Sequence, residues 1–271
     1  MRRSRLSPLA VVVYGLIVFL YVPLIVVVVF AFNGGANLSW PIQGLSLRWF
    51  RVVFDDPSFS QAFRTSVVAS AIVSVLSVGI ATAAAMLFAR RPNRISRGLQ
   101  GLSLLPAMMP PLFIAIALFT AMSYASIQPG MATIVLGQLV VTIPFVLAVV
   151  TSRLQRFEVD LEAAGRDLGA PPPQVLRRVT LRIVAPVLLG AALLAFALSF
   201  DEVLITNFTS GSTVTLPLYV YSKLRRSIDP SVNAVATLLL IMPWLALALA
   251  APFVRRGRAL PAPAEGVRGP R

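Results

Sequence analysis

Six long runs of apolar residues constrain the fold of this chain more than any other feature of its sequence. The hydrocarbon core of a bilayer is about 30 Å thick, so a helix that crosses it needs roughly 20 apolar residues. Each run reaches that length and is bounded by charged or turn-forming residues. The runs cover residues 9–32, 65–89, 99–122, 131–152, 184–208 and 234–254. We therefore expect an all-α polytopic membrane protein with six transmembrane helices.

Basic residues alternate between the segments that connect these runs. Of the 24 lysines and arginines, 18 lie before residue 9, in 90–97, in 153–182 and after residue 254. Cytoplasmic segments of membrane proteins carry the excess of lysine and arginine. The pattern predicts a cytoplasmic N-terminus (1–8), a transmembrane domain (9–254) with a cytoplasmic loop at 153–182, and a cytoplasmic, disordered tail (255–271).

Composition excludes several classes of function. The net charge of +14 would suggest nucleic-acid binding in a soluble protein. Here the charges lie between apolar runs, so a lipid bilayer is the expected partner and a nucleic acid is not. The chain has no cysteine or histidine, and its only lysine, Lys223, lacks the sequence context of a P-loop. We expect no catalytic residue, no metal site and no cofactor in this chain.

The predicted cytoplasmic loop at 153–182 has a helical pattern of its own. Glu162 and Arg166 are four residues apart in the favourable order, and Gly169 can adopt the left-handed conformation that ends a helix. A run of three prolines then allows a second helix over 174–181. The small residues of the first helix would let another protein approach closely. A solvated connector is the alternative interpretation.

One motif in this loop is specific. The sequence Glu162-Ala163-Ala164, with Gly169 five residues further on and Leu181 near the loop's end, resembles the "EAA" loop of permease subunits in ABC importers. In that family the loop forms a coupling helix that docks in a cleft of the ATPase subunit. Arg182 stands where the family has a proline, which leaves the path after Leu181 open.

Two adjacent acids, Asp201 and Glu202, lie in the fifth apolar run. A carboxylate at the bilayer centre costs roughly 2.5–3.5 kcal/mol, so such residues normally face protein or a watery cavity. Adjacent side chains on a helix diverge by about 100°, and Thr206 would share a face with Glu202. Either acid could line a translocation path with Thr206. A structural ion pair, for example with Arg64, or solvation near the interface is the alternative.

The resemblance to the importer family covers about residues 46–249. Within it, the stretch 199–211, followed by 215–222, resembles the second permease subunit of the spermidine/putrescine transporters. It implies the type I permease architecture of a bacterial ABC importer in the cell inner membrane, with polyamines as substrate. It also implies three partners: a second permease subunit, an ATPase subunit dimer that binds ATP, and an extracytoplasmic substrate-binding protein. Two alternatives are an ABC permease for another small solute, such as iron or thiamine, and an ATP-independent channel or carrier.

Overall fold

The computed structural model describes residues 8–35, 40–42, 44–90, 93–157, 160–226 and 230–257. The regular structure in these ranges is helical, apart from a single antiparallel bridge between Asn33 and Leu45. The all-α prediction is therefore confirmed. The elements are α1 (Pro8–Ala31), α2 (Arg48–Phe54), α3 (Pro57–Arg90), α4 (Arg94–Met108), α5 (Pro111–Tyr124), α6 (Met131–Gln155), α7 (Asp160–Asp167), α8 (Pro172–Val175), a π-helical turn (Leu176–Thr180), α9 (Leu181–Phe200), α10 (Leu204–Thr209), α11 (Leu216–Arg226) and α12 (Ser231–Gly257).

Within the described ranges, four helices are long and apolar enough to cross a membrane. They are Leu9–Ala31, Pro57–Arg90, Met131–Gln155 and Pro172–Phe200. The α4–α5 pair adds a fifth crossing if the bent pair is counted as one span. α12 occupies the position of the sixth run, but its apolar described part, Ser231–Met242, is shorter than a full span. The expected six crossings are compatible with these helices, and the sixth stays a prediction.

The third predicted run, 99–122, is not one helix. α4 ends at Met108 and α5 begins at Pro111. The chain bends by 102° between the two helices. Met109 is extended, with φ −88° and ψ 142°, which is the conformation that a following proline favours. Pro111 then occupies the first turn of α5, where its missing N–H costs nothing. An uninterrupted helix over this run is wrong because the consecutive prolines start a new helix.

The fifth predicted run also differs from the observed helix at both of its ends. α9 ends at Phe200, and a separate short helix, α10, begins at Leu204. At the other end, the second loop helix does not stop at residue 181, since one continuous helix covers Pro172–Phe200. Arg182 keeps the backbone N–H that a proline would lack, and the helix therefore continues through this position.

The described residues fall into two compact units. The first comprises the described residues within 1–64 and 214–244, and the second comprises those within 65–213 and 245–271. In the first unit, Trp49 of α2 is buried and donates from Nε1 to the carbonyl of Asn33 at 2.8 Å. α1 buries none of its most apolar stretch within the chain, so lipid or another protein must cover it.

The core of the second unit is built from small and branched residues of α3, α6 and α9. Alanines contribute from α3 and α9, and valines and leucines contribute from α6. Small side chains allow helices in a membrane to approach closely, where packing rather than the hydrophobic effect holds them together. The buried members from these helices include Ala81, Ala85, Val146, Leu147, Val150, Ala191 and Ala195.

Candidate coupling loop and translocation site

The predicted coupling loop folds as two helices joined by a tight turn, as expected. Gly169 has a φ of +79°, the left-handed conformation that ends α7, and its N–H donates to the carbonyl of Arg166 at 2.8 Å. Gly165 faces the second helix, and a Cβ added there would lie 3.4 Å from Val175. That distance is an ordinary van der Waals contact, so the two helices pack against each other here without requiring a glycine.

Glu162, the acid of the motif, points into the chain rather than into solvent. The residue is only 7% exposed, and its carboxylate forms an ion pair with Arg90 at the end of α3. The hydroxyl of Thr180 donates to the same carboxylate at 2.5 Å. One side chain thus joins α3, α7 and the π-helical turn. Leu181 is also turned inward, where it packs against the core of the second unit.

The opposite side of α7 is apolar and open. Leu161, Ala164 and Leu168 recur at helical spacing and are exposed, and Gly169 follows them. Leu168 is 89% exposed. We call these four residues the α7 surface. Ala163, between the two sides, is partly buried. A contiguous apolar patch on an otherwise polar loop is typical of a surface that another protein covers.

Glu202 lies in the break between α9 and α10, where its carboxylate caps α10. It accepts from the N–H groups of Ile205 at 3.0 Å and Thr206 at 2.9 Å, and from the hydroxyl of Thr206 at 3.1 Å. These amides are the unpaired donors that begin a helix. Glu202 and Thr206 do meet, but the prediction that they share one face of a continuous helix is wrong.

Asp201 is exposed at the end of α9, and its backbone N–H donates to the carbonyl of Ala197. The two ion pairs in the described part of the chain, Arg90–Glu162 and Lys223–Asp56, include neither Asp201 nor Glu202. The ion pair that we left open as an alternative is therefore absent from those residues. In the same ranges, no group of three or more acidic residues could hold a metal ion. The carboxylate of Glu202 is engaged in capping α10, whereas the carboxylate of Asp201 is left available for other contacts.

Sequence reasoning missed a buried chain of polar groups next to this break. Gln138 of α6 donates from Nε2 to the hydroxyl of Thr206 at 2.9 Å, and Ser199 of α9 donates to Gln138 Oε1 at 2.5 Å. Ser199 Oγ also lies 3.1 Å from Ser70 Oγ of α3. All four residues are buried. The signal was present in the sequence, since a lone glutamine inside an apolar run normally bonds across helices.

Close packing also fastens α10 to α6. A Cβ added to Gly137 would lie 2.8 Å from Ile205 Cγ2, a distance that real Cβ atoms do not show. The hydroxyl of Thr133 lies 2.7 Å from the carbonyl of Thr209, to which it donates. Gly211, just after α10, has a φ of +58° and an equally tight approach to Pro129. The break therefore has a defined position within its unit.

In the first unit, Asp56 ties α11 to the turn before α3. Tyr219 donates to its carboxylate at 2.6 Å, the N–H of Ser58 donates at 2.9 Å, and Lys223 Nζ lies 3.4 Å away. Burial alone would raise the pKa of Asp56, but the hydrogen bonds from Tyr219 and Ser58 and the charge of Lys223 outweigh it and lower that pKa. This tie was not predicted from the sequence.

The lowered pKa predicts acid sensitivity of this tie. A carboxyl whose pKa is lowered by folding adds stability above its unfolded pKa of about 3.9, and that stability is lost as pH falls through the folded pKa. We expect Tyr219→Phe to lower the melting temperature at neutral pH and to flatten its decline below about pH 4. Tyr221→Phe, on the same helix but bonded only to Arg225, is the matched control and should behave as the parent. Parallel melting curves for Tyr219→Phe and the parent would contradict the assignment.

Several long apolar helices, with a helical hairpin between two of them, define an integral membrane protein. The chain belongs to the family of binding-protein-dependent transport system inner membrane components, whose family model matches residues 77–256. It is a multi-pass inner-membrane protein and a permease subunit of an ABC importer, which confirms the resemblance of the loop.

Relatives of known name cover most of the chain. The spermidine/putrescine transport system permease protein PotC of Escherichia coli (strain K12) is 29% identical over 242 residues, 89% of this chain and 90% of that protein. The putrescine transport system permease protein PotI of the same organism is 33% identical over 231 residues, 82% of each chain.

Solved structures show the same fold. A bacterial ABC transporter involved in the import of the acidic polysaccharide alginate matches with a TM-score of 0.67 at 14% identity, over 92% of this chain and 93% of that one. The MetNI methionine ABC transporter, in inward-facing conformations, matches with a TM-score of 0.59 at 18% identity, over 74% of this chain and 99% of that one. The permease architecture expected from the resemblance is therefore confirmed.

Proposed function

We propose that this permease subunit imports polyamines and forms half of their translocation pathway. The names of its relatives PotC and PotI support a spermidine or putrescine substrate. The observation that carries the proposal is the free carboxylate of Asp201, exposed at a break in an apolar helix. An acid at such a place is costly unless it faces a polar path, and a polyammonium substrate is its natural complement.

The structure supports different roles for the three residues that we singled out as a path. Asp201 is the group that attracts and guides the cation. Glu202 holds the start of α10, because all of its hydrogen bonds go to that helix. Thr206 is buried and acts through Glu202, so it does not touch the substrate.

The same proposal assigns the coupling to ATP hydrolysis to the α7 surface. The surface lies on a loop rich in arginine, which the distribution of basic residues assigns to the cytoplasm together with both termini. An ATPase subunit covers the exposed Leu168, and a dimer of such subunits binds the ATP. A second permease subunit supplies the other half of the pathway, and an extracytoplasmic binding protein delivers the polyamine. The chain itself needs no cofactor.

ATP hydrolysis by the assembled complex tests this proposal. The chain would be purified with its second permease and ATPase subunits and mixed with the binding protein, either empty or loaded with putrescine or spermidine. We expect the loaded protein to stimulate hydrolysis severalfold over the empty one. Stimulation by a different solute alone would contradict the polyamine assignment. A complex that transports without hydrolysing ATP would instead indicate a channel or carrier.

A further inference from the structure

One glutamine contacts both sides of the break that carries Asp201. Gln138 lies in the middle of α6 and is 2% exposed, in a helix that is otherwise mostly apolar. Its amide meets Ser199, two residues before Asp201, and Thr206, which follows the break. A buried amide is stable among apolar helices only when both of its ends are bonded, and here both are.

Glu202, at the end of this series of hydrogen bonds, determines the direction of all of them. A carboxylate only accepts, so the hydroxyl of Thr206 gives its single proton to Glu202. The oxygen of Thr206 must then accept from the Nε2 group of Gln138, which leaves Oε1 to accept from Ser199. Every bond from Ser199 to Glu202 therefore runs one way, and a reversed amide would place Oε1 of Gln138, an acceptor, against the Thr206 oxygen, which has no proton left to donate.

We infer that Gln138 is a positioning residue, which holds the end of α9 and the start of α10 at a fixed separation and thereby sets the place of Asp201. A single amide spans the break, whereas residues 201–203 belong to neither helix. The effect of Gln138 on uptake rests on the proposed function. Its effect on the separation of α9 and α10 does not.

Thr142 provides a matched control on the same helix. It is also 2% exposed and lies one turn after Gln138, but its hydroxyl bonds only to the carbonyl of Gln138 at 2.8 Å, within α6. Thr142→Val therefore alters a buried polar group of α6 without removing a hydrogen bond to α9 or α10. Gln138→Leu removes the amide at nearly unchanged volume and cuts both bonds across the break.

Spin labels on introduced cysteines test the geometry, because the chain has no cysteine of its own. Leu194 of α9 and Asn207 of α10 are exposed and lie on opposite sides of the break, so the distance between their labels reports the separation of the two helices. In the complete complex we expect a narrow distance distribution between these labels in the parent and in Thr142→Val. Gln138→Leu should broaden or shift the distribution. The parent distribution in an assembled Gln138→Leu complex would overturn the inference.

A second pair of variants covers the case in which Gln138→Leu fails to assemble. Thr206→Val breaks the same contact from α10, and Thr206→Ser keeps the hydroxyl. Broadening in Thr206→Val with rescue in Thr206→Ser supports the inference, and equal distributions in the two variants overturn it.

Uptake per assembled complex provides the functional readout. Gln138→Leu should lower polyamine uptake about tenfold, the equivalent of a lost buried hydrogen bond, while binding-protein-stimulated ATP hydrolysis persists. Shifted labels with unchanged uptake would overturn the role of the break in transport. If even the parent takes up no polyamine, the proposed function fails, and the spin-label distances still decide whether Gln138 positions the break.

Discussion

Placing a carboxylate on the α7 surface should abolish transport while leaving the chain in the membrane. Ala164→Asp and Leu168→Asp both introduce a charge on an exposed apolar patch, so the chain can still fold around them. If an ATPase subunit covers this patch, the new charge is buried without a partner, which costs several kcal/mol. We expect loss of uptake and loss of the ATPase from the purified complex.

The control for this prediction is Gln155→Asp, an exposed position at the end of α6 outside the α7 surface. Gly169→Asp is a poorer probe, although it should also abolish uptake, because the φ of +79° at this position strains any side chain and disturbs the turn itself. Normal uptake with the ATPase still bound in both Ala164→Asp and Leu168→Asp would show that the surface is not the docking site.

Neutralising the two adjacent acids should produce two different defects. Asp201→Asn should lower uptake per complex by roughly ten- to hundredfold, the loss expected for one charge-assisted contact, with normal assembly. Glu202→Gln should mainly lower the amount of folded complex. Its amide keeps a single acceptor oxygen, so the NH2 group would face the N–H of either Ile205 or Thr206, each of which needs an acceptor.

The measurement is uptake divided by the quantity of assembled complex, with Asp55→Asn, an exposed acid in the other unit, as the control. A polyamine with fewer ammonium groups should be less affected by Asp201→Asn than one with more. If both acids reduce assembly and neither reduces uptake per complex, Asp201 does not belong to the path.

Local features of the sequence predicted the helices well, because the length of an apolar run is what a bilayer requires. Gly169 is likewise a local signal, and α7 ends there as predicted. The prolines near residue 110 are also local signals, but the break that they cause between α4 and α5 was not predicted. The inward position of Glu162 was not predictable in this way, since its ion-pair partner, Arg90, is 72 residues away. The break at Asp201 depends in the same manner on Gln138, which reaches α10 only in the folded unit.

ATP-driven uptake into proteoliposomes tests the central claim most directly. The complete complex, with ATP enclosed and the loaded binding protein outside, should accumulate labelled spermidine or putrescine, and unlabelled polyamine should compete. Without ATP, or with Leu168→Asp in place of the parent chain, accumulation should cease. Accumulation that persists without ATP, or that is competed by an unrelated solute and not by polyamines, would contradict the account.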